Sequence, residues 1–328
     1  MRFYLLATML AALIGVASVA LGEYWLNVVV IFLINVMMLI GFRLVTLMGG
    51  WSFAHVAFMG LGAYTTAILT TMDAPWSFWV TIPLAVLISG AVAFLVGLAV
   101  LRTRHYYFFL SSLAAGEALR QCFAQLDWIT GGTYGISFIP RPSPVFGLVF
   151  NDTRNFLWLV LAFVLAVAFF ARWFDSSEAG RRIRAIAINE DLSASIGINT
   201  WAHRVLAFVV GSAVAGIAGV FFASFNKIVN PLDFSSVYMF RIVAAAIVGG
   251  VTTFFGPLLG LLYLTAVEEL FRGIPEYVPL IWGFSVIGVL LLLPGGLETV
   301  FTGEWSAGMR SRFARLFRMT RGAHDAGR

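Results

Sequence analysis

Long apolar runs, separated by short polar breaks, are the feature of this sequence that most restricts its fold. Of the 328 residues, 60% are apolar and only 11% are charged, whereas soluble proteins carry about 25% charged residues. So few polar side chains do not cover a water-soluble particle of this size. Runs of about 20 apolar residues are long enough to cross a bilayer as helices. The sequence therefore predicts an all-α polytopic membrane protein and excludes a soluble enzyme or a disordered chain.

The apolar runs give ten candidate spans. They are 3–21, 25–42, 51–71, 77–101, 105–126, 156–173, 202–224, 238–251, 256–271 and 278–294. An even number places both ends of the chain on one side of the membrane. Most of the 21 Lys and Arg residues then fall in one set of loops, which the positive-inside rule assigns to the cytoplasm. The prediction is about ten transmembrane helices, N-in/C-in. The net charge of +5 is attributed to these basic loops and not to binding of nucleic acid.

Three of the ten spans have alternatives. Span 3–21 follows Arg2 and ends near Ser18-Val19-Ala20, which resembles a signal-peptide cleavage site. We interpret it as an uncleaved first span because a single arginine is a weak basic region. Spans 238–251 and 256–271 are short and meet at Gly249-Gly250 and Gly256-Pro257, so a re-entrant pair or a single tilted helix is the alternative there.

The connecting segments divide the chain into one transmembrane domain, 1–304, and a tail. Residues 127–155 form an outer loop rich in Gly and Pro, and residues 305–328 form a basic tail predicted to lie on anionic lipid. The inner loop, 174–201, mixes small, apolar and charged residues and predicts a short amphipathic helix on the membrane surface. That helix is either a solvated loop without a partner or a docking helix for a cytoplasmic protein.

Several short motifs occur in order along residues 25–300. In the inner loop they are Gly180-Arg181, Ala185-Ile186, Asn189-Glu190 and Gly197-Ile198-Asn199. Elsewhere they are Gly50-Trp51-Ser52-Phe53, Gly62-Ala63-Tyr64, Gly116-Glu117, Thr130-Gly131-Gly132, Gly249-Gly250, Gly256-Pro257 and Pro294-Gly295-Gly296-Leu297. Together they resemble the branched-chain amino acid permease family of bacterial ATP-binding-cassette (ABC) importers, LivM-type subunit. The sequence departs from the family pattern at His55, His105, Tyr134 and Thr252-Thr253.

The resemblance implies a transport subunit that is not itself an enzyme. Implied partners are a second homologous permease in a heterodimer, two cytoplasmic ATPase subunits, an extracytoplasmic substrate-binding protein and the lipid of the bacterial inner membrane. ATP and Mg²⁺ would bind to the ATPases, so no cofactor or metal is expected in this chain. The ATPases would drive alternating access through a coupling helix at 178–199. The residues implied in this coupling are Glu178, Gly180, Arg181, Ala185, Ile186, Asn189, Glu190, Gly197, Ile198 and Asn199.

Polar residues inside the predicted spans are candidates for a translocation pathway, because ionisable groups in a membrane usually face a bundle interior or a water-filled cavity. The candidates are Ser52, His55, Ser111, Ser112 and Glu117. Glu117 and Arg120 are three residues apart and are placed to meet on one helix face. The alternatives are a structural ion pair for Glu117 and a packing role for His55.

Small residues in the seventh span predict close helix packing. Gly211, Ala215 and Gly219 recur every four residues, and Ser212 with Gly216 forms the adjacent row. Such rows are either static packing faces or surfaces that slide between two states.

Other functions remain open at this point. The same architecture is compatible with import of urea, short amides or aromatic acids. A stand-alone secondary transporter usually shows ionisable groups or broken helices at mid-membrane. A membrane-embedded enzyme or scaffold is a third alternative. The chain has no G-x-x-x-x-G-K-[S/T] sequence for binding ATP, and its single cysteine, Cys122, excludes an internal disulfide. Among these alternatives, only an ABC importer requires an ATPase docked at 178–199.

Overall fold

The computed structural model describes Gly15 and residues 22–299, except residues 145, 146 and 294. The predicted span 3–21, apart from Gly15, and the predicted tail 305–328 lie outside the described residues. Contacts divide the chain into two compact units, Met1–Arg241 and Ile242–Arg328.

The described chain is mostly helical. Its helices are α1 (Glu23–Thr46), α2 (His55–Thr71), α3 (Phe78–Val100), α4 (His105–Gln125), α5 (Asp127–Thr130), α6 (Thr153–Ser176), α7 (Glu178–Ile188), α8 (Glu190–Ser195), α9 (Thr200–Asn226), α10 (Ser236–Gly249), α11 (Gly256–Leu270) and α12 (Val278–Leu292). Short 3₁₀ turns occupy Gly132–Tyr134, Pro231–Phe234 and Pro275–Tyr277. The two strands, β1 (Ile136–Ser137) and β2 (Ile228–Val229), have two residues each.

Within the part of the chain that the structure describes, five helical segments are long and apolar enough to cross a membrane. They are α1, α3, α6, α9 and the segment Pro231–Gly249, which includes α10. The chain is therefore a multi-pass α-helical membrane protein. Each of the nine predicted spans from residue 25 onward coincides with one of the helices. The interpretation of 238–271 as a single helix is wrong, because α10 ends at Gly249 and Gly250 has a positive φ of 93°.

Helix α9 is the centre of the first unit and packs against α1, α2 and α3. Its glycines make these contacts close. A Cβ atom on Gly211 would lie 2.6 Å from the carbonyl oxygen of Gly41 in α1, and one on Gly219 would lie 1.9 Å from that of Met59 in α2. The predicted close packing along α9 is thus confirmed. Backbones approach this closely only where side chains are absent or very small.

The ends of the helices in this unit gather on two opposite faces. Arg43 at the end of α1 pairs with Asp175 at the end of α6. Arg204 near the start of α9 donates to the carbonyl oxygen of Thr103, just after α3. We call this end, which also holds α7 and α8, the α7 face. The strands β1 and β2 follow α4 and α9, so they lie on the other face, called the strand face. Helices that alternate in this way are what a membrane-spanning bundle requires.

The strand face is held by backbone pairing between two loops. Ile136 pairs with Val229 and Ser137 with Ile228 in an antiparallel register. Gly135, just before β1, has a φ of 73°, and a Cβ atom there would lie 2.0 Å from the carbonyl oxygen of Val229. Glycine is therefore required at this position, both for its conformation and for the approach of the second strand.

Candidate functional site

The segment from Ser177 to Asn199 folds into two short helices on the α7 face, each started by a polar cap. The Ser177 hydroxyl accepts a hydrogen bond from the Gly180 N–H at 3.2 Å, and the Asn189 side chain accepts one from the Leu192 N–H at 2.9 Å. Such caps satisfy backbone donors that have no partner within the helix. The extended backbone at Asn189 ends α7 and begins α8. The single predicted helix is therefore a pair of helices with a bend between them.

Gly180 fits tightly against the end of α6. A Cβ atom on Gly180 would lie 2.3 Å from the carbonyl oxygen of Phe174 and 2.6 Å from that of Asp175. Gly180 shares the buried face of α7 with Ile183 and Ile186. This face packs on the protein itself and fixes the position of α7 relative to the membrane helices.

The predicted coupling residues divide into three groups by exposure. Gly180 and Ile186 are buried, and Ala185, Glu190 and Ile198 are partly buried. The exposed ones are Glu178, Arg181, Asn189, Gly197 and Asn199. The structure thus places all ten in one segment but gives them different surroundings. Gly180 and Ile186 lie where they position the segment, and the exposed group lies on its solvent side.

Glu190 makes contacts within the chain. Its carboxylate lies 3.5 Å from Arg104, just before α4, and 3.5 Å from Arg204 in α9. Arg104 also lies 3.6 Å from Asp191. These ion pairs tie α8 to the membrane helices. The charge of Glu190, a predicted coupling residue, therefore holds α8 in place within the chain.

Three large apolar side chains on this segment point to solvent. Ile188 is 87% exposed, Leu192 62% and Ile196 71%. None of the three is among the predicted site residues. The signal that could have singled them out was their regular spacing of four. They do not share one helix face, because Ile188 ends α7, whereas Leu192 lies in α8 and Ile196 follows it. Exposed apolar groups clustered within a short segment are typical of a protein-binding surface.

The predicted pathway residues do not form one continuous polar surface. Ser52 and His55 are fully buried, and the His55 ring packs against Phe42 in α1. The Ser112 hydroxyl accepts the N–H of Phe53 at 3.0 Å, which joins α4 to the segment before α2. These contacts are those of a packed core. A pathway role for Ser52, His55 and Ser112 stays a prediction.

The remaining two pathway candidates lie on α4. The Ser111 hydroxyl is 3.0 Å from that of Thr103. The Glu117 carboxylate accepts a hydrogen bond that Arg120 Nε shares between its two oxygens, at 3.0 and 2.9 Å, one from Arg120 Nη2 at 2.5 Å, and one from Gln121 at 3.1 Å. The structure therefore pairs Glu117 with Arg120. Glu117 is also partly exposed, so its role in the pathway stays a prediction.

A carboxylate that the sequence analysis did not consider closes the turn between α10 and α11. Glu298 is 3% exposed and accepts hydrogen bonds from the N–H groups of Thr252 and Thr253 at 3.1 and 2.8 Å. The Thr253 hydroxyl also donates to it at 2.6 Å. The Thr252-Thr253 pair, a departure from the family pattern, thus supplies donors for Glu298. Burial alone would raise the pKa of Glu298, but these hydrogen bonds lower it below its ordinary value.

Glu298→Gln is expected to lower the thermal stability at neutral pH and to weaken its dependence on acid. Because the folded-state pKa is lowered, the ionised carboxylate stabilises the fold above about pH 4.5, the ordinary value. That contribution is lost as the pH falls through the lowered pKa. Unfolding temperatures in detergent should therefore converge for the wild type and the variant in acid. Parallel curves down to about pH 3 would contradict the assignment.

Residues 23–294 match the family model described as "Branched-chain amino acid transport system / permease component". The chain is similar to the high-affinity branched-chain amino acid transport system permease protein LivM of Salmonella typhimurium. The two are 29% identical over 320 residues, and this alignment covers 90% of this chain and 74% of that protein.

Two further relatives belong to the same transport systems. LivM of Escherichia coli K12 is 30% identical over 263 residues, which are 73% of this chain and 61% of that protein. The permease protein LivH of Salmonella typhimurium is 30% identical over 174 residues, which are 52% of each chain. This chain thus spans less than two thirds of the E. coli LivM relative. No solved structure matches. The match to the family model covers most of the chain, and the chain therefore belongs to the family of branched-chain amino acid transport system permease components.

Proposed function

We propose that the chain is a transmembrane subunit of an ATP-driven ABC importer for branched-chain or related hydrophobic amino acids. The observation that carries this is the α7–α8 segment, which is fixed by its buried face and presents exposed apolar side chains to solvent. A segment anchored on one side and apolar on the other suits docking of a soluble ATPase. ATP hydrolysis takes place on that partner, so this chain needs no cofactor of its own.

The proposed topology places the α7 face in the cytoplasm of a bacterium, with the chain in the inner membrane. Arginines concentrate on that face: Arg43, Arg102, Arg104, Arg172, Arg181, Arg182, Arg184 and Arg204 lie in or beside it. By the positive-inside rule, the proposed orientation is then N-in/C-in. The proposal keeps ten spans, with residues 1–304 as the permease domain and residues 305–328 as the tail. The strand face would meet an extracytoplasmic substrate-binding protein.

The proposed assembly contains a second homologous permease and two ATPases. LivM and LivH, both similar to this chain, are permease proteins of branched-chain amino acid transport systems. A heterodimer of two such subunits is the arrangement we propose. Because substrate selection would rest largely with the binding protein, the pathway in this chain needs to distinguish only two states, open to either side, as alternating access requires. Urea, short amides and aromatic acids remain alternative substrates for the same architecture.

The experiment that tests this is affinity purification of the tagged chain in mild detergent, followed by mass spectrometry and an ATPase assay. Recovery of a second permease and of ATPase subunits is expected. Recovery of the chain alone from several detergents would contradict an importer and favour a stand-alone secondary transporter.

Leu192→Asp is expected to weaken recovery of the ATPase about thirtyfold, the effect of losing one central apolar anchor from an interface. The matched control is Leu148→Asp. Leu148 is 60% exposed, close to the 62% of Leu192, but it lies in the loop of the strand face. Recovery should be unchanged in the control. Equal recovery from both variants would show that Leu192 is not part of the docking surface.

A further inference from the structure

The last turn of α6 contains a buried carboxylate shared by three arginines. The Asp175 side chain is 3% exposed. Arg43 Nη2 of α1 lies 3.5 Å from its Oδ2 atom, and Arg172 Nη1 of α6 lies at the same distance. Arg184 of α7 donates to the other oxygen, Oδ1. A buried carboxylate is costly unless it is paired with cations, and here the pairing joins three helices.

The two oxygens of Asp175 have different partners. Oδ2 faces the membrane helices through Arg43 and Arg172, whereas Oδ1 faces α7 through Arg184. Hydrogen bonds between ionised groups are short and strong compared with neutral ones. Asp175 therefore connects α7 to α1 through two ion pairs, one with Arg184 and one with Arg43.

Helix α7 meets the end of α1 a second time near its own end. A Cβ atom on Gly49, in the turn after α1, would lie 3.4 Å from the Cα and Cβ atoms of Ala187. Gly49 has a φ of 78°, which favours glycine, and the turn leads through Gly50 towards α2. Two contacts one helical turn apart, at Arg184 and Ala187, thus hold α7 against the corner between α1 and α2.

Helix α8 is anchored elsewhere. Its Glu190 contacts Arg104 before α4 and Arg204 in α9, and Arg204 in turn donates to the Thr103 carbonyl oxygen at 3.1 Å. The bend at Asn189 separates the two anchors. Both halves of the segment pack on α9, but their charged contacts differ: α8 pairs with Arg104 and Arg204, whereas α7 reaches α1 through Asp175.

We propose that Asp175 is a positioning residue that transmits displacement of α7 to α1 through the Arg184–Asp175–Arg43 bridge. This inference rests on the proposed function, because it needs an ATPase that displaces α7. Without the bridge, α7 still folds, since Gly180, Ile183 and Ile186 still pack on the protein. Its motion is no longer linked to α1 by charge. The expected defect is therefore in coupling and not in assembly.

The test is Arg184→Gln in the complete complex, reconstituted in proteoliposomes with its second permease, ATPases and binding protein. This variant leaves the buried Arg43–Asp175 pair intact, whereas Asp175→Asn leaves a buried arginine without its carboxylate and threatens folding. We expect normal recovery of the ATPase and retained ATP hydrolysis. Substrate transported per ATP hydrolysed should fall about tenfold, the effect of losing one hydrogen bond between charged groups. Arg184→Lys, which keeps the charge, should retain most of the wild-type ratio.

The matched control is Arg182→Gln. Arg182 is on the same helix, is 47% exposed where Arg184 is 43% exposed, and pairs with Glu178 instead of Asp175. Its transport-to-ATP ratio should stay at the wild-type value. A wild-type ratio in Arg184→Gln, or loss of ATPase recovery in that variant alone, overturns the bridge. If the wild-type chain recovers no ATPase at all, the proposed function fails, and the bridge with it.

Discussion

Gly219→Ala is expected to destabilise the protein severely, whereas the same change at Gly90 is expected to be tolerated. Both glycines lie inside helices, so alanine brings each the same intrinsic gain of about 1 kcal/mol in helix propensity. At Gly219 the added Cβ would lie 1.9 Å from the Met59 carbonyl oxygen and 2.7 Å from the Ala63 N atom. At Gly90 its nearest neighbour is a Val209 methyl group at 3.7 Å, an ordinary contact.

The clash at Gly219 is with backbone, which has no rotamer to change. Helices α2 and α9 would have to separate along their whole contact. Overpacking costs about 1–3 kcal/mol even where side chains yield, so the cost here should reach or exceed that range. Thermal unfolding followed by size-exclusion chromatography in detergent measures the difference. Equal unfolding temperatures for the two variants would mean that α2 and α9 are not packed as described.

Gly180→Trp is expected to abolish substrate-stimulated ATP hydrolysis in the assembled importer while the chain still inserts into the membrane. The Phe174 carbonyl oxygen lies 2.3 Å from the place of a Cβ atom, so any side chain at Gly180 pushes α7 away from the end of α6. The exposed apolar residues that follow would then lose their position relative to the membrane helices. Membrane insertion depends on the apolar spans, which this change does not touch.

The control for this variant is Gly273→Trp, at a position with open space around it and no positive φ. We expect normal substrate-stimulated ATP hydrolysis in the control. In Gly180→Trp the stimulated rate should fall more than about tenfold, which corresponds to roughly 1.4 kcal/mol or more of coupling free energy. Normal stimulation in Gly180→Trp would argue against any role of α7 in coupling.

The helices could be predicted from sequence because a membrane-spanning helix requires a long, continuous apolar stretch, which is visible in the sequence. Even the fifth predicted span, which has the ionisable residue Glu117 inside it, is one continuous helix, α4. The start of α2 was predicted too early, at residue 51 instead of His55. Apolar residues such as Trp51 and Phe53 extend the hydropathy signal through a stretch whose backbone is not helical, and hydropathy does not distinguish the two.

The helical segment for which coupling is proposed could be located from sequence, but the orientation of its residues could not. The motif pairs place Gly180 and Glu190 together as candidates, yet one faces α6 and the other pairs with Arg104 and Arg204. Which side of a short amphipathic helix is buried depends on the surface it meets. Asp175 could not be predicted as a site residue either. It lies at the end of an apolar run, and its partners Arg43 and Arg184 belong to other helices, so the sequence does not show that they meet.

The pairing of β1 with β2 has a consequence for how the strand face opens. Strand β2 follows α9 almost directly, and the loop that carries β1 is anchored to α4 by the Thr130 hydroxyl, which donates to the Phe123 carbonyl oxygen at 2.7 Å. The two-stranded ladder therefore links the end of α4 to the end of α9 by backbone hydrogen bonds. Any entrance that parted α4 from α9 on this side would first have to break main-chain hydrogen bonds.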